Sequence, residues 1–157
     1  MAYKVFISYS TKDIPNVDAL RGFLQFPDVE CFVSEYAVMP GAPIAATTKA
    51  AILACDIFVL LWSKNAMASE WVNQEIGIAH GNHKPILPFV LELGLSLPGF
   101  IKELRYVAAY QNPQLALYSL RETVLKNSLA KQNQQAIGAL AIGGLVILAL
   151  VGMSKAS

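Results

Sequence analysis

Trp71 and Glu75 lie four residues apart in the stretch SEWVNQE at 69–75, and on a helix that spacing puts them on one face, a single turn from each other. The stretch follows the apolar run DIFVLLWS, so its helix starts where a parallel strand ends. That edge of an α/β sheet is where ligands bind. A carboxylate there can stabilise positive charge as it develops on a substrate, and an aromatic ring one turn earlier can wall the pocket. The competing assignment is a solvated surface glutamate, the usual place of Glu on a helix. Spacing alone does not separate the two.

The elements that must position these residues can be read from period and punctuation. Residues 3–9 alternate as a strand, and 14–25 carry Val17, Leu20 and Leu24 on one helical face. VECFVS at 29–34 reads as a second strand. Pro43 suits a first helical position, with Ile44, Thr48, Ala51, Ile52 and Cys55 behind it on one face. Asp56 to Trp62 is a continuous apolar run, as expected of a central parallel strand covered on both sides, with Trp62 a core aromatic. Ser69 is a candidate N-cap, Glu70 complements the helix dipole and Gly81 suits the stop. Val72, Ile76 and Ala79 then face the core, with Glu75 beside them. Shorter strands at 85–90 and 106–110 precede a last helix bearing Leu117, Leu120 and Val124. Strands alternating with helices imply a doubly wound parallel sheet.

Three motifs stand in order along this framework. YKVFISYSTKD at 3–13 runs from a β-branched and aromatic strand into small hydroxyl residues and the helix-start signal Asp13. Met39, Pro40, Gly41, Ala42 and Pro43 form a Pro-Gly loop between the second strand and the second helix. Ser69, Trp71 and Glu75 complete a Ser-x-Trp-x-x-x-Glu pattern after the third strand. Together they resemble the TIR domain family, and in particular its prokaryotic NAD-cleaving members, over residues 1–128.

The resemblance implies a flavodoxin-like, five-stranded parallel sheet and two possible functions. One is an NAD+ hydrolase or cyclase that cuts the ribosyl-nicotinamide bond, is activated by self-association and serves defence or stress signalling. The other is a non-catalytic adaptor that assembles signalling complexes. On the enzymatic side Glu75 is the catalytic residue, Ser10, Thr11, Ser34 and Trp71 bind substrate, and Pro40 and Gly41 belong to the self-association loop of a homo-oligomer. NAD+ is then substrate, and no further cofactor is implied. Two places depart from the family pattern: Ser34, with Glu35 beside it, ends the second strand where an acidic residue is common, and Ser10 and Thr11 precede Lys12 where basic residues are common.

Composition bounds the remaining possibilities. A formal net charge of +1 and no basic patch with interleaved aromatics argue against a nucleic-acid surface. Cys31 and Cys55 sit among apolar neighbours and read as reduced core thiols. His80 and His83 lack a third ligand, so no metal site is expected.

The apolar excess is C-terminal. Between Gln132 and Ser154 there is no charged residue, and Ala136 to Met153 reads AIGALAIGGLVILALVGM, close to the lower limit of about 17 residues for a membrane span. A domain at 1–128, a polar linker at 129–135 and a transmembrane or oligomer-buried helix at 136–153 follow. Lys126 and Lys131 before the span against Lys155 after it place the domain in the cytoplasm of a single-pass protein.

Overall fold

The computed structural model describes residues 1–34, 45–136 and 153–155. Strands β1 (Tyr3–Ser8), β2 (Val29–Val33), β3 (Ile57–Trp62), β4 (Ile86–Val90) and β5 (Arg105–Ala108) form a parallel sheet in the order 2-1-3-4-5. The expected doubly wound sheet is therefore present. Helices α1 (Ile14–Phe23) and α5 (Pro113–Ala136) cover one face; α2 (Ala46–Ala54) and α4 (Glu70–Gly81) cover the other, with a single turn, α3 (Lys64–Met67), leading into α4.

Strand period explains how one sheet serves two cores, because successive side chains point to opposite faces. Val5, Ile7 and Tyr9 join Val17, Leu20, Leu120 and Val124 in the first core. Phe6 joins Ile52, Phe58, Leu60, Trp62, Val72 and Ile76 in the second. Every residue of β3 is buried, as the unbroken apolar run requires of a strand covered on both sides. In register on neighbouring strands, Phe6 stacks on Phe32 at 5.5 Å and on Phe58 at 5.3 Å between ring centroids. Trp62 is buried and donates its Nε1–H to the Ser96 carbonyl at 3.1 Å, which satisfies its one polar atom.

Asp56 immediately precedes β3 at the end of the sheet away from the ligand edge, and there it has a structural task. Its Oδ2 accepts from the backbone N–H of Lys4 and from Lys131 Nζ, both at 2.8 Å. Lys131 also donates to the Ala2 carbonyl, and Gln132 Nε2 to the Met1 carbonyl. An ion pair this exposed contributes at most about 1 kcal/mol, so its effect is to fix where α5 ends against the sheet. The two cysteines join different cores, Cys31 packing against the first and Cys55 lying within the second. Burial pushes the Cys55 thiol up to about 11, with Lys84 opposing the shift and Asp56 adding to it.

Two expectations change at the C-terminal end. The polar stretch 129–135, expected as a linker, carries α5 onward to Ala136; it contains neither Gly nor Pro, and Lys131 and Gln132 tie it to the sheet. Of the helix expected over 136–153, residues 137–152 lie outside the described residues, while Met153 is in a strand. That strand, β6 (Met153–Lys155), pairs antiparallel with β5, Arg105 opposite Lys155 and Val107 opposite Met153. Among the described residues no helix is long and apolar enough to cross a membrane. The loop with Pro40 and Gly41 and the expected helix start at Pro43 also lie outside the described residues; the described part of that helix begins at Ala46.

Tyr3 carries one unfavourable feature of the first core. Its ring is buried, its hydroxyl has no hydrogen-bond partner among the described residues, and burial together with the nearby Asp56 charge pushes its ionisation well above the ordinary tyrosine range. Removing a desolvated, unsatisfied hydroxyl relieves a cost of about 1 kcal/mol or more. Tyr3→Phe should therefore leave stability in urea unchanged or slightly raised, whereas a clear loss would reveal a partner for that hydroxyl.

Candidate functional site at the carboxyl edge of the sheet

In the strand order 2-1-3-4-5 the chain winds one way from β1 to β2 and the other way from β1 to β3, so the crevice at the ends of β1 and β3 is the topological switch point. The buried polar side chains gather there. Ser8, the last residue of β1, points to the same side as Phe6 and has no exposed surface. Glu75 reaches it from α4, itself wholly buried beside Val72, Ile76 and Ala79. Ser8 Oγ donates to Glu75 Oε1 at 2.7 Å, a length typical of a hydroxyl donating to an oxygen acceptor.

Helix α4 is set by its first turn. Ser69 has an extended backbone and accepts from the Val72 N–H through its hydroxyl at 3.3 Å. Asn73 Nδ2 folds back onto the Ser69 carbonyl at 2.8 Å. Glu70 stands exposed in that first turn, where a carboxylate complements the dipole. With the helix start fixed, Glu75 falls on the inward face. Trp71, one turn earlier, is half-buried.

Two further hydrogen-bonded groups tie the loops of this edge together. On the β2 side the Tyr9 hydroxyl donates to the Ser34 carbonyl at 2.7 Å, and Ser34 Oγ lies 3.3 Å from Thr48 Oγ1 in the first turn of α2. On the β3 side Asp13 is buried and accepts from Ser63 Oγ at 2.5 Å and from Asn65 Nδ2 at 3.0 Å. Ser63 in turn caps α3 by accepting from the Ala66 N–H at 3.0 Å. This bridge joins the segment after β1 to the segment after β3 across the switch point.

A parallel 2-1-3-4-5 sheet with a buried glutamate at its switch point agrees with the ordered motifs, and the TIR domain pattern matches residues 5–121. The chain belongs to the TIR domain family. No curated protein matches it. Among solved structures, the TIR domain of the Toll-related receptor TRR-2 from Hydra magnipapillata superposes with a TM-score of 0.59 at 17% identity, over 84% of this chain and 99% of that one. That likeness shows the fold. The TIR domains of the activated Roq1 resistosome, which directly recognises the pathogen effector XopQ, give 0.49 at 19% identity over 87% of this chain and 78% of theirs. A 2-desoxiribosyltransferase from Leishmania mexicana gives 0.45 at 15% identity over 57% and 65%.

Of the residues singled out in this TIR domain from sequence, Glu75 is the one brought to the switch point in full. Ser34 is buried at the end of β2 and held by Tyr9 and Thr48. Ser10 is buried and caps the turn Thr11–Asp13 by accepting from the Lys12 N–H, which gives its hydroxyl a local structural partner. Thr11 is exposed in that turn. His80 lies in the last turn of α4 and His83 just past its end, both exposed, with His80 resting against the Phe100 ring at 5.2 Å. Among the described residues no cluster of side chains is arranged to hold a metal ion.

Sequence reasoning missed Ser8 and the Asp13–Ser63–Asn65 bridge. For Ser8 the signal was available: a hydroxyl at an inward position of a central strand must meet a partner. The bridge joins residues about fifty positions apart and has no local signature. Asp13→Ala would strand the buried Ser63 donor and free the part-buried Asn65 amide, at a cost of about 1–3 kcal/mol. A lowered denaturation midpoint should report it, and an unchanged midpoint would mean that water replaces the carboxylate without loss.

Proposed function

We propose that this TIR domain cleaves NAD+ between ribose and nicotinamide, yielding nicotinamide and linear or cyclic ADP-ribose, that self-association switches it on, and that it serves defence or stress signalling. The observation that carries this reading is Glu75, buried at the switch point with Oε1 2.7 Å from Ser8 Oγ.

The chemistry asks for little beyond a carboxylate. The ribosyl C1′–N bond breaks with its electron pair passing to the ring nitrogen, so the pyridinium departs as neutral nicotinamide and needs no general acid. Enzymes acting on ordinary glycosides use a second carboxyl for that protonation. What remains is positive charge on the ribose, which an ionised Glu75 opposes electrostatically. Water then adds at C1′ and loses a proton to solvent, or a nitrogen of the same molecule adds and closes a ring. Trp71, Ser10, Thr11 and Ser34 are assigned to the substrate side, and NAD+ is the only small molecule the reading requires.

Glu75 has no exposed surface, so a substrate reaches it only after a rearrangement of its surroundings. Pairing of copies through the Pro40–Gly41 loop, as the family resemblance implies, is the event we assign to that opening. The same enclosure favours the second reading, an adaptor in which Glu75 is a structural acid and assembly is the whole function.

Glu75→Gln keeps size and hydrogen-bonding reach while removing the charge, so nicotinamide release should fall by a factor on the order of a hundred or more. Glu70→Gln should release nicotinamide at the parent rate, since its carboxylate only complements the helix dipole, worth about 0.3–1 kcal/mol of stability. Release by Glu75→Gln at the parent rate would leave the adaptor reading standing.

A membrane location is the further part of the proposal, and it rests on the uncharged run from Gln132 to Ser154. Anchoring would raise local concentration and favour assembly. One observation weighs against a single-pass span: Met153–Lys155 pairs with β5 of the domain's own sheet. An anchored chain should sediment with vesicles while a chain ending at Ala136, the end of α5, stays in the supernatant. Recovery of the full chain in the soluble fraction would assign the tail to the domain edge or to an oligomer.

A further inference from the structure

We infer that Ser8 is a positioning residue for the reaction proposed above, acting through Glu75; the inference rests on that reading. Three observations carry it. Ser8 closes β1, a strand paired on both sides by β2 and β3, and is itself in register with Leu60 of β3, so the sheet holds its Cβ. Strand alternation turns its side chain towards α4, and Ser8 and Glu75 are both without exposed surface. The Ser8 hydroxyl donates to Glu75 Oε1 at 2.7 Å, a contact between residues 67 positions apart.

A glutamate has three side-chain torsions between its backbone and its carboxylate, and α4 alone fixes none of the outer ones. The Ser8 hydrogen bond ties the far end of that side chain to the central sheet, so carboxylate position is set by the strand as well as by the helix. A hydroxyl donor also favours a charged acceptor over a neutral one. In an electrostatic mechanism a displacement of the charge weakens transition-state stabilisation more than substrate binding, so loss of the donor should appear in kcat before KM.

Ser8→Ala removes the donor, Ser8→Cys keeps a side chain of similar shape with only a weak donor, and Ser8→Thr keeps the hydroxyl with one added methyl. Nicotinamide release is followed across NAD+ concentrations, at protein concentrations that span self-association, for variants that melt cooperatively. The expected result is a fall in kcat of about ten-fold or more for Ala and Cys with KM changed less than about three-fold, and near-parent turnover for Thr. On a Glu75→Gln background, Ser8→Ala should cause no further loss, because the partner through which it acts is gone.

Several results would overturn the assignment. Parent kcat in both Ala and Cys means the hydrogen bond is not used, and loss in Ala with full activity in Cys means Ser8 fills space. A raised KM with unchanged kcat would make Ser8 a substrate contact instead. If Ala fails to fold, the Cys variant alone decides between the donor and the shape. A parent chain that releases no nicotinamide under any of these conditions overturns the enzymatic reading and this role with it. An active parent that Glu75→Gln silences and Ser8→Ala does not overturns the role of Ser8 only.

Discussion

A carboxyl group taken out of water must be met by hydrogen-bonding partners inside the protein, and the contact between Ser8 and Glu75 answers that demand for Oε1 at the switch point of the sheet. Much of the local architecture serves to make it possible. Strand alternation has to place Ser8 on the same face as Phe6 and Leu60, the N-cap at Ser69 has to set the rotation of α4, and Val72 and Ile76 have to seat that helix so that Glu75 turns inward. A slip of one residue in β1 would send the hydroxyl into the opposite core and set Ile7 or Tyr9 against the carboxylate.

The two ends of the sheet are held by different chemistry. At the carboxyl edge, neutral or singly charged hydrogen bonds join loops: Tyr9 to Ser34, Ser34 to Thr48, and Ser63 and Asn65 to Asp13. At the opposite end an ion pair, Asp56 with Lys131, works with backbone groups of residues 1–4 to seat the end of α5. The apolar stabilisation lies between these ends, in two cores on opposite faces of one sheet. Such a division leaves the carboxyl edge as the part whose geometry is set by directional contacts, and directional contacts are what a ligand can compete with.

How much of this was legible in the sequence follows from how local each determinant is. The unbroken run at 57–62 and the three-to-four spacing on α1 and α4 act within a few residues, and those elements appear where the patterns place them. Glu75 was located for the same reason, since the cap at Ser69 and the apolar face of α4 fix its direction. Its complete burial was not legible, because the groups that enclose it, Ser8 of β1 among them, are distant in sequence. The Asp13 bridge and the Asp56–Lys131 pair were hidden for the same reason, each needing the folded sheet to bring its members together. At 129–135 the error had another origin: a polar, Gln-rich composition suggested a linker, whereas Lys, Gln and Ala are good helix formers and nothing there stops α5. The antiparallel addition of Met153–Lys155 to β5 left no trace in local pattern.

Burial pulls the proposed chemistry in two directions. A charge and a developing cation about 4 Å apart attract by about 4 kcal/mol at an effective dielectric of 20, but by only about 1 kcal/mol in bulk water, and each 1.36 kcal/mol of that difference is ten-fold in rate. An enclosed Glu75 is therefore in the surroundings where a single carboxylate is most effective. The same enclosure denies substrate access, so a chain that stayed as it is here would hold its acid ready and unused. An enzyme of this design needs a step that admits substrate without flooding the carboxylate, and a contact made by a second copy meets both needs, opening one surface while covering another. An adaptor has no such requirement and could keep Glu75 closed in every state.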